Sequence, residues 1–134
     1  MPKIEIGGGL GIEYHLAVNS ALVFLHGYRE NQSMWNDQVS HFSKTYPVLT
    51  YDLRGHGNTK WFDCRDIRIM ANDLREILST LGLHKPHLVG HSFGGMVAQT
   101  FAQRYPEDVK TLTLVSTLEP NEFYVKHKGL MMKF

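Results

Sequence analysis

From Pro86 to Tyr105 the chain reads PHLVGHSFGGMVAQTFAQRY, a short apolar run, a knot of glycines around one serine, and a longer apolar-rich segment stopped by Pro106. The run HLVG has the length and character of a buried strand, and Phe93–Tyr105 reads as a helix that the following proline ends. A strand that passes into a helix through a glycine-rich turn is half of a βα unit. It constrains the rest of the chain to supply parallel neighbours and covering helices.

The remaining segments fit that demand. Lys3–Ile6 and Ile12–Leu16 alternate in polarity on either side of GGGLG and read as a hairpin. ALVFL at 21–25 is continuously apolar, as a strand covered on both faces should be. A helix is expected from Ser33 to Lys44, with Trp35, Val39 and Phe42 on one side, and YPVLTYD supplies the next strand. Ile67, Met70, Ala71, Leu74, Ile77, Leu78 and Leu81 form one helical stripe with Gly82 as its stop, and TLTLVS at 111–116 is the last strand. The pattern after the hairpin is therefore an α/β sheet with right-handed crossovers. Ligands of such sheets bind beyond the carboxyl ends of the strands, where HGYREN, DLRGHG and GHSFGG would converge.

Composition narrows the classes of partner. With 134 residues the chain is about one domain long, and 43% hydrophobic residues suffice for a core. Fourteen basic and 13 acidic side chains leave a formal charge of +1, which gives no field for nucleic acid or an acidic membrane. Cys64 is the single cysteine, so an internal disulfide is excluded and a reducing cytosol suits the chain. No apolar signal region or membrane-length run is present, and the expectation is a soluble cytoplasmic protein.

Gly90-His91-Ser92-Phe93-Gly94 fits the G-x-S-x-G pattern of a nucleophile elbow. A serine on a sharp strand-to-helix turn brings neighbouring backbone too close for side chains at the flanking positions, which is why glycines stand there. The bland alternative is a solvent-exposed serine in a βα loop. Attack on a carbonyl by Ser92 would also need two N–H groups for the oxyanion. Phe93, just after the serine, would give one, with help from the helix dipole. Tyr28, in the loop after the third strand, would give the other, with Gly27 letting that loop approach; otherwise HGY is a plain strand-end turn.

LVFLHGYRENQSMW, YDLRGHGNT and LVGHSFGGMVAQTFAQRYPEDVKTLTLVST together resemble the α/β-hydrolase superfamily, above all its esterase, lactonase and carbon–carbon-bond hydrolase branches. The resemblance runs from the hairpin to about Ser116. It implies about six strands in the order 1-2-4-3-5-6, with strand 2 antiparallel, flanking helices, Ser92 as nucleophile, and Tyr28 and Phe93 as oxyanion hole. Serine at 92 argues against the epoxide-hydrolase and haloalkane-dehalogenase branches, which use aspartate there.

In this family the triad follows the order serine, acid, histidine. After Ser92 the only histidine is His127, and the acids are Glu107, Asp108, Glu119 and Glu122. Glu107 and Asp108 precede the last strand, at the wrong end of the sheet. Glu119 leaves the correct end, as a candidate acid or a solvated loop carboxylate. The family's histidine follows an eighth strand, so His127 reads as a surface histidine. The expectation is a truncated fold lacking strands 7 and 8: residues 1–118 form the N-terminal part of the domain, and 119–134 begin a lid. Its uncovered sheet edge would favour self-association. Upstream, His91 should point away from the serine hydroxyl, His26 should brace its loop, and Asp52 and Arg54 read first as loop-fixing residues.

The function expected is that of a serine hydrolase acting on a small ester, lactone or related carbonyl substrate, without its acid and histidine. The alternative is a non-catalytic binding protein or a non-functional truncated product. No cofactor or metal is expected. Extended, His87 and His91 would lie about 13 Å apart at ~3.3 Å per residue. GGGLGI and GHGNTK both lack the third glycine of a dinucleotide fingerprint.

Overall fold

The computed structural model describes residues 3–6, 10–15, 20–59 and 66–120, the first two segments by their backbone alone. Strands β1 (Lys3–Ile6) and β2 (Leu10–His15) form the hairpin, with Ile6 opposite Leu10. The second strand begins two residues earlier than its side-chain alternation suggested. An antiparallel ladder is made of backbone groups, so Gly11 can take part without a side chain. Then follow β3 (Leu22–Leu25), β4 (Val48–Tyr51), β5 (His87–His91) and β6 (Thr111–Val115).

The six strands lie in the order β1-β2-β4-β3-β5-β6. The last four are parallel, and β2 runs antiparallel to both β1 and β4. Leu22 pairs with Val48 on one side and His87 on the other, and Gly90 pairs with Leu114. The loops after β3, β4, β5 and β6 therefore leave the same end of the sheet. This is the expected α/β topology, with six strands among the described residues.

Alternate side chains of the central strands serve two cores. Val23 and Leu25 of β3, Leu49 and Tyr51 of β4 and Leu88 of β5 face helices α2 (Ile67–Leu81) and α3 (Phe93–Arg104). Phe24 and Val48 face the opposite way with Trp35, and Leu22, Val39 and Val89 pack against them. Both faces of β3 are covered, which explains its unbroken apolar run. Helix α2 buries the expected stripe from Ile67 to Leu78, starts on Asp66, whose carboxylate accepts from the Arg68 N–H, and ends at Gly82 with φ 66°.

The segment expected as one helix from Ser33 to Lys44 is divided. A turn of 3-10 helix occupies Gln32–Trp35, and α1 proper is Asn36–Phe42. Two contacts tighten its start. The Asn31 side chain accepts from Ser33 N–H at 2.9 Å, and the Asp52 carboxylate accepts from Gln32 N–H at 2.8 Å.

β6 is the sheet edge among the described residues, and all five of its residues are exposed. Leu112, Leu114 and Val115 are 37%, 42% and 38% exposed, unusual for apolar side chains in a parallel sheet. A groove of about 500 Å³ runs along one face of this edge between Trp35, Phe42, Val89 and Val115. The expected tail at 119–134 is described only as far as Pro120; the lid assigned to it, His127 and Cys64 lie outside the described residues.

Candidate active site

Ser92 stands at the junction of β5 and α3 with φ 51° and ψ −117°, a left-handed conformation that L residues rarely adopt. The turn is held on both sides. Ser92 N–H donates to Val115 C=O at 3.0 Å, continuing the β5–β6 ladder. Ser92 C=O accepts from the N–H groups of Gly95 and Met96 at 3.0 and 3.3 Å, in the first turn of α3. A third donor, the Thr117 hydroxyl, reaches the same carbonyl at 2.5 Å.

The glycines around the serine are there because backbone is in the way of anything larger. A Cβ at Gly90 would lie 2.6 Å from Gly94 O and from Gly95 Cα. A Cβ at Gly94 would press into the Leu25 and His26 carbonyls at the end of β3, and one at Gly95 would meet the Thr117 side chain. Helix α3 is thereby drawn against the ends of both β3 and β6.

The loop after β3 approaches the elbow through Gly27, where a Cβ would come within 2.7 Å of Glu30 Oε1, 3.0 Å of His91 Nδ1 and 3.4 Å of Ser92 Cβ. Tyr28 follows, partly buried, with its ring 6.1 Å from that of Phe93 and 5.7 Å from that of His56. Arg29, at φ 63°, lays its guanidinium 5.6 Å over the Tyr28 ring. Neither the Tyr28 N–H nor the Phe93 N–H donates to an acceptor among the described residues.

Three side chains lock these loops to one another. Asp52 is buried and accepts from Gln32 N–H at 2.8 Å and Asn58 N–H at 2.9 Å, joining the loops after β3 and β4. His26 is fully buried; its Nε2 accepts from Leu53 N–H at 2.9 Å, which leaves Nδ1 to donate to Gly27 O at 2.7 Å. Burial, partly offset by that backbone bond, pulls the His26 pKa down to about 4, so the ring is a neutral brace. Arg54 grips Asp73 of α2 through two bonds of 2.7 and 2.5 Å, fastening the loop after β4 to that helix. The loop-fixing roles expected of His26, Asp52 and Arg54 are what their contacts provide.

The remaining histidines and acids are distributed as follows. His91 turns Nδ1 toward Glu30 Oε1 at 3.3 Å. His56 places Nδ1 at 3.1 Å from Arg54 O and its ring 5.0 Å from that of His26. Glu119 is exposed; it is Thr117, two residues earlier, that reaches the Ser92 backbone. Glu107 and Asp108 sit in the turn before β6, at the opposite end of the sheet, beside Arg75 and Lys85. Glu30, Gln32 and Thr117 carried no signal in the sequence. Their contacts close between segments 20 to 61 residues apart and follow no local spacing.

The parallel sheet with its strained serine at a strand–helix turn, closely approached by the loop after β3, has the form of a hydrolase-type α/β scaffold. Comparison with known proteins agrees: a family model described as the alpha/beta hydrolase fold matches residues 20–129, and the chain belongs to that family. Epoxide hydrolase 4 of Homo sapiens is 33% identical over 123 residues, which cover 84% of this chain and 33% of the human protein. A thermophilic esterase from Thermogutta terrifontis superposes with a TM-score of 0.82 at 26% identity, over 96% of this chain and 50% of the esterase. Est816, described as an N-acyl homoserine lactone degrading enzyme, does so with a TM-score of 0.76 at 30% identity, over 87% of this chain and 45% of its own. The chain thus spans about a third of the length of the curated relatives it matches and about half of these solved chains. Proteins from both sides of the branch division drawn from Ser92 are among its relatives, so that division rests on the residue at 92. No helix among the described residues is long and apolar enough to cross a membrane.

Proposed function

We propose that this chain carries the nucleophile and oxyanion hole of a serine hydrolase acting on a small ester, lactone or related carbonyl substrate. The observation that carries the reading is the backbone of Ser92, at φ 51° in a turn where a Cβ on Gly90 or Gly94 would meet backbone at 2.6 Å or less. Strain of this kind costs about 1–3 kcal/mol and persists where the surroundings over-determine it. Ser92 Oγ would attack the carbonyl carbon as its proton passes to a base. The oxyanion would accept from Tyr28 N–H and Phe93 N–H, and collapse would expel the alcohol and leave an acyl-serine for water to hydrolyse.

Chemistry decides between the branches named by the relatives. A carboxylate that opens an epoxide forms an ester, and water can release it by attack at the carbonyl. A serine that opens an epoxide forms an ether, which has no carbonyl and cannot be released that way. Ser92 therefore favours a substrate that brings its own carbonyl, as the esterase and the lactone-degrading enzyme have by their descriptions.

Among the described residues no histidine hydrogen-bonds Ser92 Oγ as a base would. His26 has both ring nitrogens engaged by backbone, and the His91 ring turns its Nδ1 to Glu30. We propose that the catalytic histidine and acid come from further chain, with Glu119 a candidate acid within 1–134, and that this chain alone is inactive or weakly active. The contrasting reading, a non-catalytic binding protein, draws on the same observation.

One experiment separates them. The 134-residue chain and the chain continued through its downstream reading frame are treated with an activated-phosphonate serine probe and a short-chain aryl ester. Labelling and turnover in the extended form, both lost in Ser92→Ala, are the expected result. Turnover by the short chain that depends on Ser92 overturns the fragment reading, and ester turnover unchanged in Ser92→Ala overturns the nucleophile.

A further inference from the structure

We infer that Thr117 is a positioning residue for the oxyanion hole, its hydroxyl orienting and polarising the Ser92–Phe93 peptide from the far side. The inference rests on the nucleophile reading above. Ser92 C=O and Phe93 N–H belong to one planar trans peptide, in which carbonyl and N–H point in opposite directions. Whatever fixes the carbonyl therefore aims the N–H.

The Thr117 hydroxyl donates to Ser92 O at 2.5 Å. Its other acceptor, Leu118 O, is 3.4 Å away, so the one hydroxyl proton belongs to Ser92 O. The Gly95 and Met96 N–H groups reach this carbonyl from the helix side, at 3.0 and 3.3 Å. Thr117 adds a donor from outside the helix. A carbonyl that accepts an additional hydrogen bond draws electron density from its own amide, so the Phe93 N–H becomes a better donor to a developing oxyanion.

Thr117 is itself held in place. Ser116, before it, has φ 47°, a turn that directs residue 117 back toward α3. Gln99 of α3 donates its side-chain amide to Leu118 O at 2.9 Å and to Gly95 O at 3.2 Å, tying the following residue to the same helix. Gly95 leaves the room that Thr117 occupies, since a Cβ there would lie 2.6 Å from both Thr117 Cβ and Oγ1. The second glycine after the serine, outside the G-x-S-x-G pattern, thus has its reason in the segment after β6.

The test compares Thr117→Val, which keeps the shape and removes the hydroxyl, with Thr117→Ser, which keeps the hydroxyl. Both are made in the 134-residue chain and in the extended chain, and each is measured in whichever form the phosphonate labels. Thr117→Val should lower the labelling rate and kcat about tenfold, the loss of one well-placed hydrogen bond, with KM unchanged. Thr117→Ser should restore most of both. Thermal unfolding is followed in parallel, and a Tm loss in Thr117→Val with unaltered labelling marks a purely structural contact and overturns the inference. So does a labelling rate equal to wild type, or a Thr117→Ser variant as slow as Thr117→Val. Labelling that survives Ser92→Ala, or is absent from both forms, overturns the underlying nucleophile reading and the Thr117 role with it.

Discussion

Gly90 faces Gly95 across the elbow so closely that a Cβ at 90 would stand 2.6 Å from the Gly95 Cα. The obstacle is backbone on a helix that is itself pinned to β3 and β6, so it cannot step aside. Gly90→Ala should therefore cost about 3 kcal/mol of stability, the upper range for overpacking a tight interior. Gly82 provides the control: it has φ 66° with nothing within 4 Å of the added Cβ. Gly82→Ala should cost only about 1 kcal/mol, the conformational penalty alone. Urea denaturation of the two variants checks the difference.

Ser92 bears a conformation that glycine would adopt freely. Ser92→Gly should raise stability by about 1 kcal/mol while abolishing phosphonate labelling. A variant that is less stable than wild type by the same urea titration would show that the Ser92 side chain contributes packing rather than strain.

His26 makes stability depend on pH in a stated direction. Burial holds its folded pKa near 4, below the ordinary 6.5, so between these values the unfolded chain binds a proton that the folded chain refuses. The stabilisation is fully present above pH 6.5 and is lost as pH falls toward 4, by about 3 kcal/mol in all. Urea titrations at pH 7.5 and 4.5 should show this loss in the wild type. His26→Gln, destabilised at the higher pH, should lose correspondingly less between the two.

The exposed edge strand should make the 134-residue chain associate with itself. Leu112 and Leu114 lie on one face of β6 at 37% and 42% exposure, on the strand that forms the sheet edge among the described residues. Light scattering should give a mass that rises with concentration, and Leu112→Lys with Leu114→Lys should bring it toward the monomer. A monodisperse wild-type monomer that unfolds cooperatively contradicts this.

Much of the fold was legible because its signals are local. Runs such as LVFL, the stripe from Ile67 to Leu81 and the glycines flanking Ser92 each record a constraint within a few residues of chain. The division of the first helix was hidden, because the bond that tightens it comes from Asp52, 20 residues from Gln32. The same holds for the site. Ser92, Phe93 and Tyr28 sit in recognisable patterns, while the hold of Thr117 on the elbow crosses 25 residues and needs the closed sheet to exist. The third parallel pairing, of β5 with β6, is what brings it there.

We propose above all that Ser92 is built as a nucleophile. Its most direct measurement is peptide mass mapping of the extended chain after reaction with the activated phosphonate. A single adduct on the peptide containing Ser92, absent from Ser92→Ala, is the expected result. An adduct elsewhere, or equal modification of the Ser92→Ala chain, contradicts it.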